Sequence, residues 1–405
     1  MAFKETPHPQ AIVGLLDFSK GIAIVWVMLV HAIHGWFGWQ GVHVFIVLGG
    51  FALTYACLNR QDQLTWRQWF QRRAARILPA YWLVAIAGFL VLWLVAVLVP
   101  NVKRPFELST ALWRLLADLT LLRNFSYKTM LADPNSALWF IPLIAGFYLI
   151  FPWLYSSLAK QRSIKGWLKV LLVAAAIEVV YRAAAIYWLD GMPMGYGHGV
   201  LKFLSRPDKA LDNISDTFPF QLWAPFGLAP SRLGEFVFGM VGAFMLHQHQ
   251  SKFTRLLLSW RGALCGVVIW IGGNALLFTN RWTWAFADLL IAAGVVVWLI
   301  KLAAVAQNLL PKFFKAVSVI GVWSYYLFLT HLLFGYAHAN LFTLWAGKPV
   351  LIALMALLTL GAIFGLSWLL LRLDRSGLPK RLFSMDLGRR QDASVGAVKP
   401  AQPVI

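Results

Sequence analysis

Ten apolar runs, most of them about 17–25 residues long, dominate the chain of 405 residues. A run of this length crosses the hydrocarbon core of a bilayer as a helix, which satisfies its own backbone hydrogen bonds. With 60% hydrophobic and only 13% charged residues, the chain has too little polar surface for a soluble domain. We therefore predict an all-α, polytopic membrane protein. The expected spans lie near residues 20–37, 41–58, 77–99, 137–158, 167–189, 219–246, 261–279, 283–300, 316–338 and 348–371.

The basic residues predict how these spans are oriented. The formal net charge is +20, but Lys and Arg gather in alternate connections, after span two, between spans four and five, and after span ten. Cytoplasmic loops carry such an excess, so ten spans place both termini in the cytoplasm. We expect a multi-pass membrane protein, with the bilayer rather than nucleic acid as partner. The connection 100–136 is an exception, since it is basic yet expected outside.

Within that exceptional connection, residues 109–122 predict an amphipathic helix at the outer surface. The longest polar loop, 190–218, is also expected outside. We predict one transmembrane domain, residues 1–375, followed by a cytoplasmic, partly disordered tail at 376–405. The opening residues lack a cleavage site, so we expect no cleavable signal peptide. The two cysteines indicate neither a disulfide framework nor a metal site.

Lys20 and His31 lie eleven positions apart in the first expected span. In a helix they share one face to within about 20° and are about 16 Å apart. We expect Lys20 near the cytoplasmic edge and His31 beyond the midplane, with His34 on the same stripe. A snorkelling anchor explains Lys20 equally well. A structural hydrogen bond is the alternative for His31, but a titratable ring in lipid is costly and favours function. A further histidine, His331, ends span nine.

Other charged residues also fall inside expected spans. Glu178 and Arg182 lie four apart on one face, which favours a structural ion pair over catalysis. Arg232 and Glu235 lie three apart at the start of span six. A lone charge in a span costs about 2.5–3.5 kcal/mol, so both should point inward. Asp288 has no evident partner in the sequence.

Six motifs, in order along nearly the whole chain, resemble the membrane-bound acyltransferase family 3. They are KGIAIVWVMLVH, VHVFIVLGGFALT, RRAARILPAY, LWFIPLIAGFYLIFPWL, SRLGEFVFGM and GVWSYYLFLTH. The sequence departs from the family pattern at a few positions, and the loss of an acidic pair is the most serious. These departures are Lys20 for arginine, His43 for an acid, Gly49 for serine, Ala145 and Gly146 for the paired acids, and Phe328 for tyrosine.

The resemblance implies O-acylation of a bacterial surface glycan, foremost an exopolysaccharide, with acetyl-CoA or another acyl-CoA as donor substrate and no tightly bound cofactor. Such transfer needs a base and stabilisation of an oxyanion. His31 is the expected general base, and a covalent acyl-histidine intermediate is the alternative. Lys20, Arg232, Glu235 and His331 are expected to support it. Arg72, Arg73 and Arg76 are expected to bind the CoA phosphates, although positive-inside anchoring explains them equally well.

Two other functions are compatible with polar groups inside spans. A proton-coupled secondary transporter needs similar residues, but no internal repeat is evident. A non-catalytic subunit of a polysaccharide synthesis or export complex should tolerate loss of His31, whereas an enzyme should not. Such a synthase complex is also a candidate partner of the enzyme, alongside acyl-CoA and the extracytoplasmic glycan acceptor.

Overall fold

A computed structural model describes residues 9–33, 37–60, 65–98, 107–125, 127–130, 135–188, 224–333 and 348–376. Within these ranges every regular element is helical. Nine segments are long and apolar enough to cross a membrane, and a shorter helix covers the sixth expected span. The prediction of an all-α polytopic membrane protein is confirmed. The α-helices are α1 Pro9–Ile33, α2 Gln40–Leu58, α3 Trp66–Leu98, α4 Leu108–Leu119, α5 Tyr127–Met130, α6 Phe140–Ala159, α7 Ile164–Tyr187, α8 Leu233–Gln248, α9 Gln250–Leu258, α10 Trp260–Leu277, α11 Ala287–Leu309, α12 Pro311–Thr330 and α13 Pro349–Arg375.

Helix α1 begins well before the predicted first span. It starts at Pro9, so Lys20 lies in the middle of the helix, and its expected place near the end of the span was wrong. The apolar stretch itself extends back to Ile12, and Lys20 falls within it. The Lys20 ammonium lies 3.0 Å from the Asp17 carboxylate, one turn earlier, so its charge has a partner on the same helix.

Helix α8 is shorter than the predicted sixth span of 219–246. It begins at Leu233, after two short 3₁₀ turns, Ala224–Gly227 and Ala229–Arg232. The first residues of that predicted span, the polar loop 190–218, His34 and the tail from 377 onwards lie outside the described residues.

The basic connection between α3 and α6 contains the expected amphipathic helix, as α4. Ala111 packs against Leu92 and Val95 of α3, so α4 lies along a span. Arg123, which follows α4, is a buried side chain, 3% exposed. Its guanidinium lies 2.7 Å from the Asp118 carboxylate. This arginine is therefore part of the packed interior, which explains one of the basic residues that depart from the charge rule.

Helices α2 and α8 cross with their backbones in direct contact. A Cβ atom added to Gly239 would overlap the carbonyl oxygen of Val47. A Cβ atom added to Gly50 would overlap the carbonyl oxygen of Phe236. Small residues at such a crossing allow close approach, which in lipid replaces the hydrophobic effect as a source of helix association.

Helices α1 and α12 make a second crossing of this kind. A Cβ atom on Gly21 would meet the Val317 carbonyl, and one on Gly321 would meet the Asp17 carbonyl. The stacked rings of Phe18 and Phe314 lie beside this crossing, with centroids 5.2 Å apart. Glycine at both positions therefore fixes the distance between the two helices.

We expect Gly239→Leu to lower the thermal stability of the purified protein in detergent. The added side chain would overlap backbone atoms, which cannot move aside as flexible side chains do. Overpacking of this kind typically costs about 1–3 kcal/mol. The measurement is the melting temperature followed by size-exclusion chromatography of heated samples. Gly365→Leu is the matched control, because no atom lies within 4 Å of a Cβ placed there. Equal melting temperatures for the two variants would contradict the close crossing.

Candidate active site

Two histidines come together at the C-terminal ends of α1 and α12. The ring centroids of His31 and His331 lie 5.3 Å apart. The sequence indicated each residue separately, 300 positions apart, and the structure makes them a pair. His31 is exposed, whereas His331 is only 7% exposed. An exposed ring beside a buried ring is an arrangement suited to moving a proton from a substrate.

The backbone fixes the tautomer of His331. Its Nδ1 lies 2.9 Å from the carbonyl oxygen of Phe328 and 3.2 Å from that of Leu327. Carbonyl oxygens only accept hydrogen bonds, so Nδ1 carries the proton and donates it. The neutral ring then has its lone pair on Nε2, which is buried and has no hydrogen-bond partner among the described residues. His331 therefore presents an oriented proton acceptor.

A segment that the sequence did not indicate holds the end of α12. The Asn135 amide donates a 2.7 Å hydrogen bond to the carbonyl of Leu329, two residues before His331. The Arg123 guanidinium donates in turn to the carbonyls of Asn135 and Met130, each at 2.9 Å. The connection between α3 and α6 is thus tied to the histidine pair through buried hydrogen bonds.

Aromatic rings surround the buried histidine. The Phe328 ring centroid lies 5.5 Å from that of His331. Phe328 also contacts Phe140 at 4.8 Å and Phe45 at 6.1 Å between centroids. Such walls keep water from one side of the imidazole, and in a low dielectric its hydrogen bonds are stronger than in water.

A separate buried cluster joins α2 and α8. The Nη1 atom of Arg232 lies 3.1 Å from the Glu235 carboxylate and 2.8 Å from Nδ1 of His43. The same Nδ1 lies 2.9 Å from the other Glu235 oxygen. It can accept from the arginine when unprotonated or donate to the glutamate when protonated. All three side chains are fully buried. The expectation that Arg232 and Glu235 point inward is confirmed.

Asp288 extends this cluster to α11 and α7. It has no evident partner in the sequence, yet its carboxylate accepts a 2.7 Å hydrogen bond from Arg182 and lies 3.5 Å from Nε2 of His43. Glu178 accepts 2.8 Å and 3.4 Å hydrogen bonds from the backbone N–H groups of Gly234 and Glu235. The expected local pairing of Glu178 with Arg182 is therefore replaced by contacts of each residue with other helices.

The buried cluster contains two arginines, three carboxylates and one histidine, contributed by four α-helices and the 3₁₀ turn before α8. With an imidazolium at His43, its positive and negative charges would be equal in number. Buried charges are tolerated when every one has partners, and the loss of one partner leaves the other charges unpaired. The contacts described above for Arg232 and Glu235 are to protein groups, so a role of these residues in supporting catalysis stays a prediction.

The three arginines predicted to bind CoA phosphates lie in the first three turns of α3. Arg72 and Arg76 are exposed, and Arg73 is half-buried. The Arg73 guanidinium lies 5.7 Å from the centre of the Trp69 ring. Its Nε atom is buried and has no hydrogen-bond partner among the described residues. Arg73 is thus packed against the aromatic ring, and phosphate binding by the cluster stays a prediction.

The positions of the missing acidic pair lie in α6. A Cβ atom on Gly146 would lie 3.2 Å from the Cβ of Ala229, in the turn that leads to Arg232. A larger residue at position 146 would need this turn to move. Glycine at this position of α6 therefore fits the close approach of the turn before α8.

Comparison with known proteins gives one family and one distant relative. A family model described as an acyltransferase domain matches residues 14–372. The acyltransferase MdmB of Streptomyces mycarofaciens is 27% identical over 214 residues, which cover 51% of this chain and 46% of the relative. The match thus spans about half the length of that relative. No solved structure matches the chain.

Proposed function

This chain belongs to the acyltransferase 3 family, and we propose that it is a multi-pass O-acyltransferase of a bacterial inner membrane. The proposed reaction moves an acyl group, foremost acetyl, from a cytoplasmic acyl-CoA to a hydroxyl of an extracytoplasmic glycan such as an exopolysaccharide. The family match and the distant acyltransferase relative support acyl transfer. The donor, the acyl group and the acceptor come from the sequence resemblance.

The histidine pair is the observation that carries this proposal. His31 removes the proton of the acceptor hydroxyl as its oxygen attacks the thioester carbonyl. A ring N–H of His31 donates to Nε2 of His331, whose own Nδ1–H is held by the Phe328 carbonyl. The 5.3 Å separation of the ring centroids allows this hydrogen bond after a small rotation. Such bonds are often long before substrate binds and shorten in the reacting complex.

Collapse of the tetrahedral intermediate completes the transfer. The carbon–sulfur bond breaks, the ester of the acceptor is formed, and the proton held by His31 passes to the departing CoA thiolate. The acceptor oxygen thus replaces sulfur on the acyl carbon, and the histidines return to their starting state. No covalent acyl-enzyme is needed for this route.

The donor is proposed to enter at the arginines of α3 and reach the histidines along α1. Lys20 and His31 lie on one uninterrupted helix, eleven residues or about 16 Å apart. This length is comparable to an extended pantetheine arm. Lys20, half-exposed beside Asp17, is proposed to mark the donor side of this path.

Transfer of labelled acyl groups by the purified protein tests the proposed activity. The protein is placed in liposomes with radiolabelled acetyl-CoA and a purified bacterial exopolysaccharide, and label in the polysaccharide is counted. We expect label to accumulate with wild type and not with His31→Ala. Proton-coupled solute uptake by the same liposomes without transfer from any acyl-CoA would favour the transporter instead.

We expect Arg73→Ala to raise the KM for acyl-CoA by about 10- to 100-fold, because a hydrogen bond to a charged group contributes about 1.5–3 kcal/mol. The KM for the glycan should change little. Steady-state kinetics with each substrate varied in turn gives both values. Arg67→Ala is the matched control, an exposed arginine on the same helix outside the cluster. An unchanged donor KM in folded Arg73→Ala would assign the cluster to membrane anchoring.

A further inference from the structure

An apolar cavity of about 460 Å³ is lined by the first turns of α1, α7 and α10, the second half of α8, and the middle of α2 and α11. Helix α9 also contributes to its wall. We call this part of the molecule the basic end, because exposed lysines and arginines gather there. Residues that line the cavity include Leu168, Phe238, Gly242, Met245, Phe253 and Cys265. The histidine pair is at the opposite ends of α1 and α12, so this cavity is not part of the candidate active site.

The residues that line the cavity favour a hydrocarbon ligand. Among its described residues, Thr254 alone has a hydroxyl, amide or charged group, and that hydroxyl already donates 2.8 Å to the Gln250 carbonyl. A sugar or nucleotide placed here would lose its hydrogen bonds to water and gain none. The volume lies in the usual range of about 300–1,000 Å³ for a ligand site.

The cavity opens sideways between α7 and α10. Leu168 of α7 and Ile269 of α10 line it and are also 45% and 36% exposed. Cys265, one turn before Ile269, is exposed as well. In a membrane protein these outward-facing surfaces meet lipid, so a hydrocarbon chain has a direct route into the cavity from the bilayer.

A rim of cations lies at the basic end, close in sequence to residues that line the cavity. Three basic residues lie just before α7 or in its first two turns, and α9 with the start of α10 adds three more. Neither segment, 160–170 or 248–262, contains an aspartate or glutamate. The rim residues, all exposed, are Arg162, Lys165, Lys169, Lys252, Arg255 and Arg261. Positive-inside topology accounts for these charges but does not account for a cavity beneath them.

We propose that this cavity binds one acyl chain of an anionic phospholipid from the adjoining leaflet, with the lipid phosphate at the basic rim. The cavity supplies the hydrocarbon contacts, and the rim supplies charge complementarity to the head group. The bound lipid contacts α7, α9 and α10 where these three helices lie next to one another. This site is independent of the proposed acyl transfer and takes no part in its chemistry.

Native mass spectrometry of the purified protein tests the site with two lipids of equal chains, dioleoyl phosphatidylglycerol and dioleoyl phosphatidylcholine. We expect wild type to retain one phosphatidylglycerol in preference to phosphatidylcholine. Removing two rim charges, as Lys252→Gln with Arg255→Gln, should weaken the retention about tenfold or more, since each basic residue near an anionic lipid contributes about 1 kcal/mol. Equal retention of the two lipids by wild type would overturn the proposal.

Filling the cavity should remove the bound lipid. A Cβ atom on Gly242 would lie 3.4 Å from the Phe51 ring and 3.7 Å from the Phe253 ring, which are ordinary contacts. Gly242→Leu should therefore fold and lose retained phosphatidylglycerol. Gly272→Leu on α10 is the control, because a Cβ atom there meets nothing within 4 Å. Undiminished retention by Gly242→Leu would place the lipid elsewhere and refute the site.

A measurement on wild type covers the case in which Gly242→Leu does not fold. Phosphatidylglycerol with a diazirine in one acyl chain is photolysed in bilayers containing the protein, and the labelled peptides are identified. We expect cross-links on the segments that face the cavity, in α8 and α10. Cross-links confined to α3 and α13, whose outward surfaces also meet lipid, would contradict the proposal.

Discussion

Replacing His331 with alanine is expected to reduce acyl transfer by about 10²–10⁴-fold, the usual contribution of acid–base catalysis. The physical reason is the fixed tautomer. Nδ1 of His331 donates to the Phe328 carbonyl at 2.9 Å, which leaves Nε2 to accept a proton or a hydrogen bond from His31. Transfer of radiolabelled acetyl from acetyl-CoA to glycan by equal amounts of purified protein is the measurement.

The double variant decides whether the histidines act together. If they form one unit, His31→Ala with His331→Ala should be no slower than either single variant, because groups that act as a unit are strongly non-additive. His247→Ala is the control, an exposed histidine near the end of α8. Multiplication of the two single effects in the double variant would mean that the histidines contribute independently. Wild-type transfer by His331→Ala would remove this residue from the mechanism.

Glu235→Ala should cause the largest loss of stability, about 3–5 kcal/mol, because it leaves buried charges without their partner. Glu235 accepts from Arg232 at 3.1 Å and contacts His43 at 2.9 Å, with no exposed surface. The stability of the folded protein is itself only about 5–15 kcal/mol in typical proteins. The measurement is the yield of monodisperse protein in detergent and its melting temperature.

A second substitution separates charge from packing. Replacing both partners, as Arg232→Met with Glu235→Leu, should recover part of the stability lost in Glu235→Ala, since well-packed apolar residues often replace a buried ion pair without cost. Glu107→Ala is the control for loss of a carboxylate, because Glu107 is exposed at the start of α4. If the double variant is less stable than Glu235→Ala, the instability of Glu235→Ala does not come from unpaired charge.

The spans were predictable from sequence because their signal is local. Each apolar run is long enough to cross the hydrocarbon core as a helix, so it can be recognised without knowledge of the helices that pack against it. The amphipathic pattern of residues 109–122 likewise predicted α4. The position of Lys20 was wrong because the first span was started too late, since the helix extends back to Pro9 and its apolar stretch to Ile12.

The partners inside the bundle were not predictable, because they come from distant parts of the chain. Asp288 meets Arg182 and His43, which lie 106 and 245 positions away. The hydropathy of each span is the same whichever face points inward, so it does not reveal these pairs. A signal for His43 was present, since it stands where the family pattern has an acid. A separate motif of the same family supplies its partners, Arg232 and Glu235. For Asn135, whose amide holds the end of α12, we find no signal in the sequence.

Transport by alternating access requires two groups of helices to part and close again, and the glycine crossing of α1 with α12 forbids this between these two helices. With Gly21 and Gly321 the backbones touch, so no layer of side chains is available to slide or repack. The helices that carry His31 and His331 are therefore held at a fixed distance from each other at this crossing.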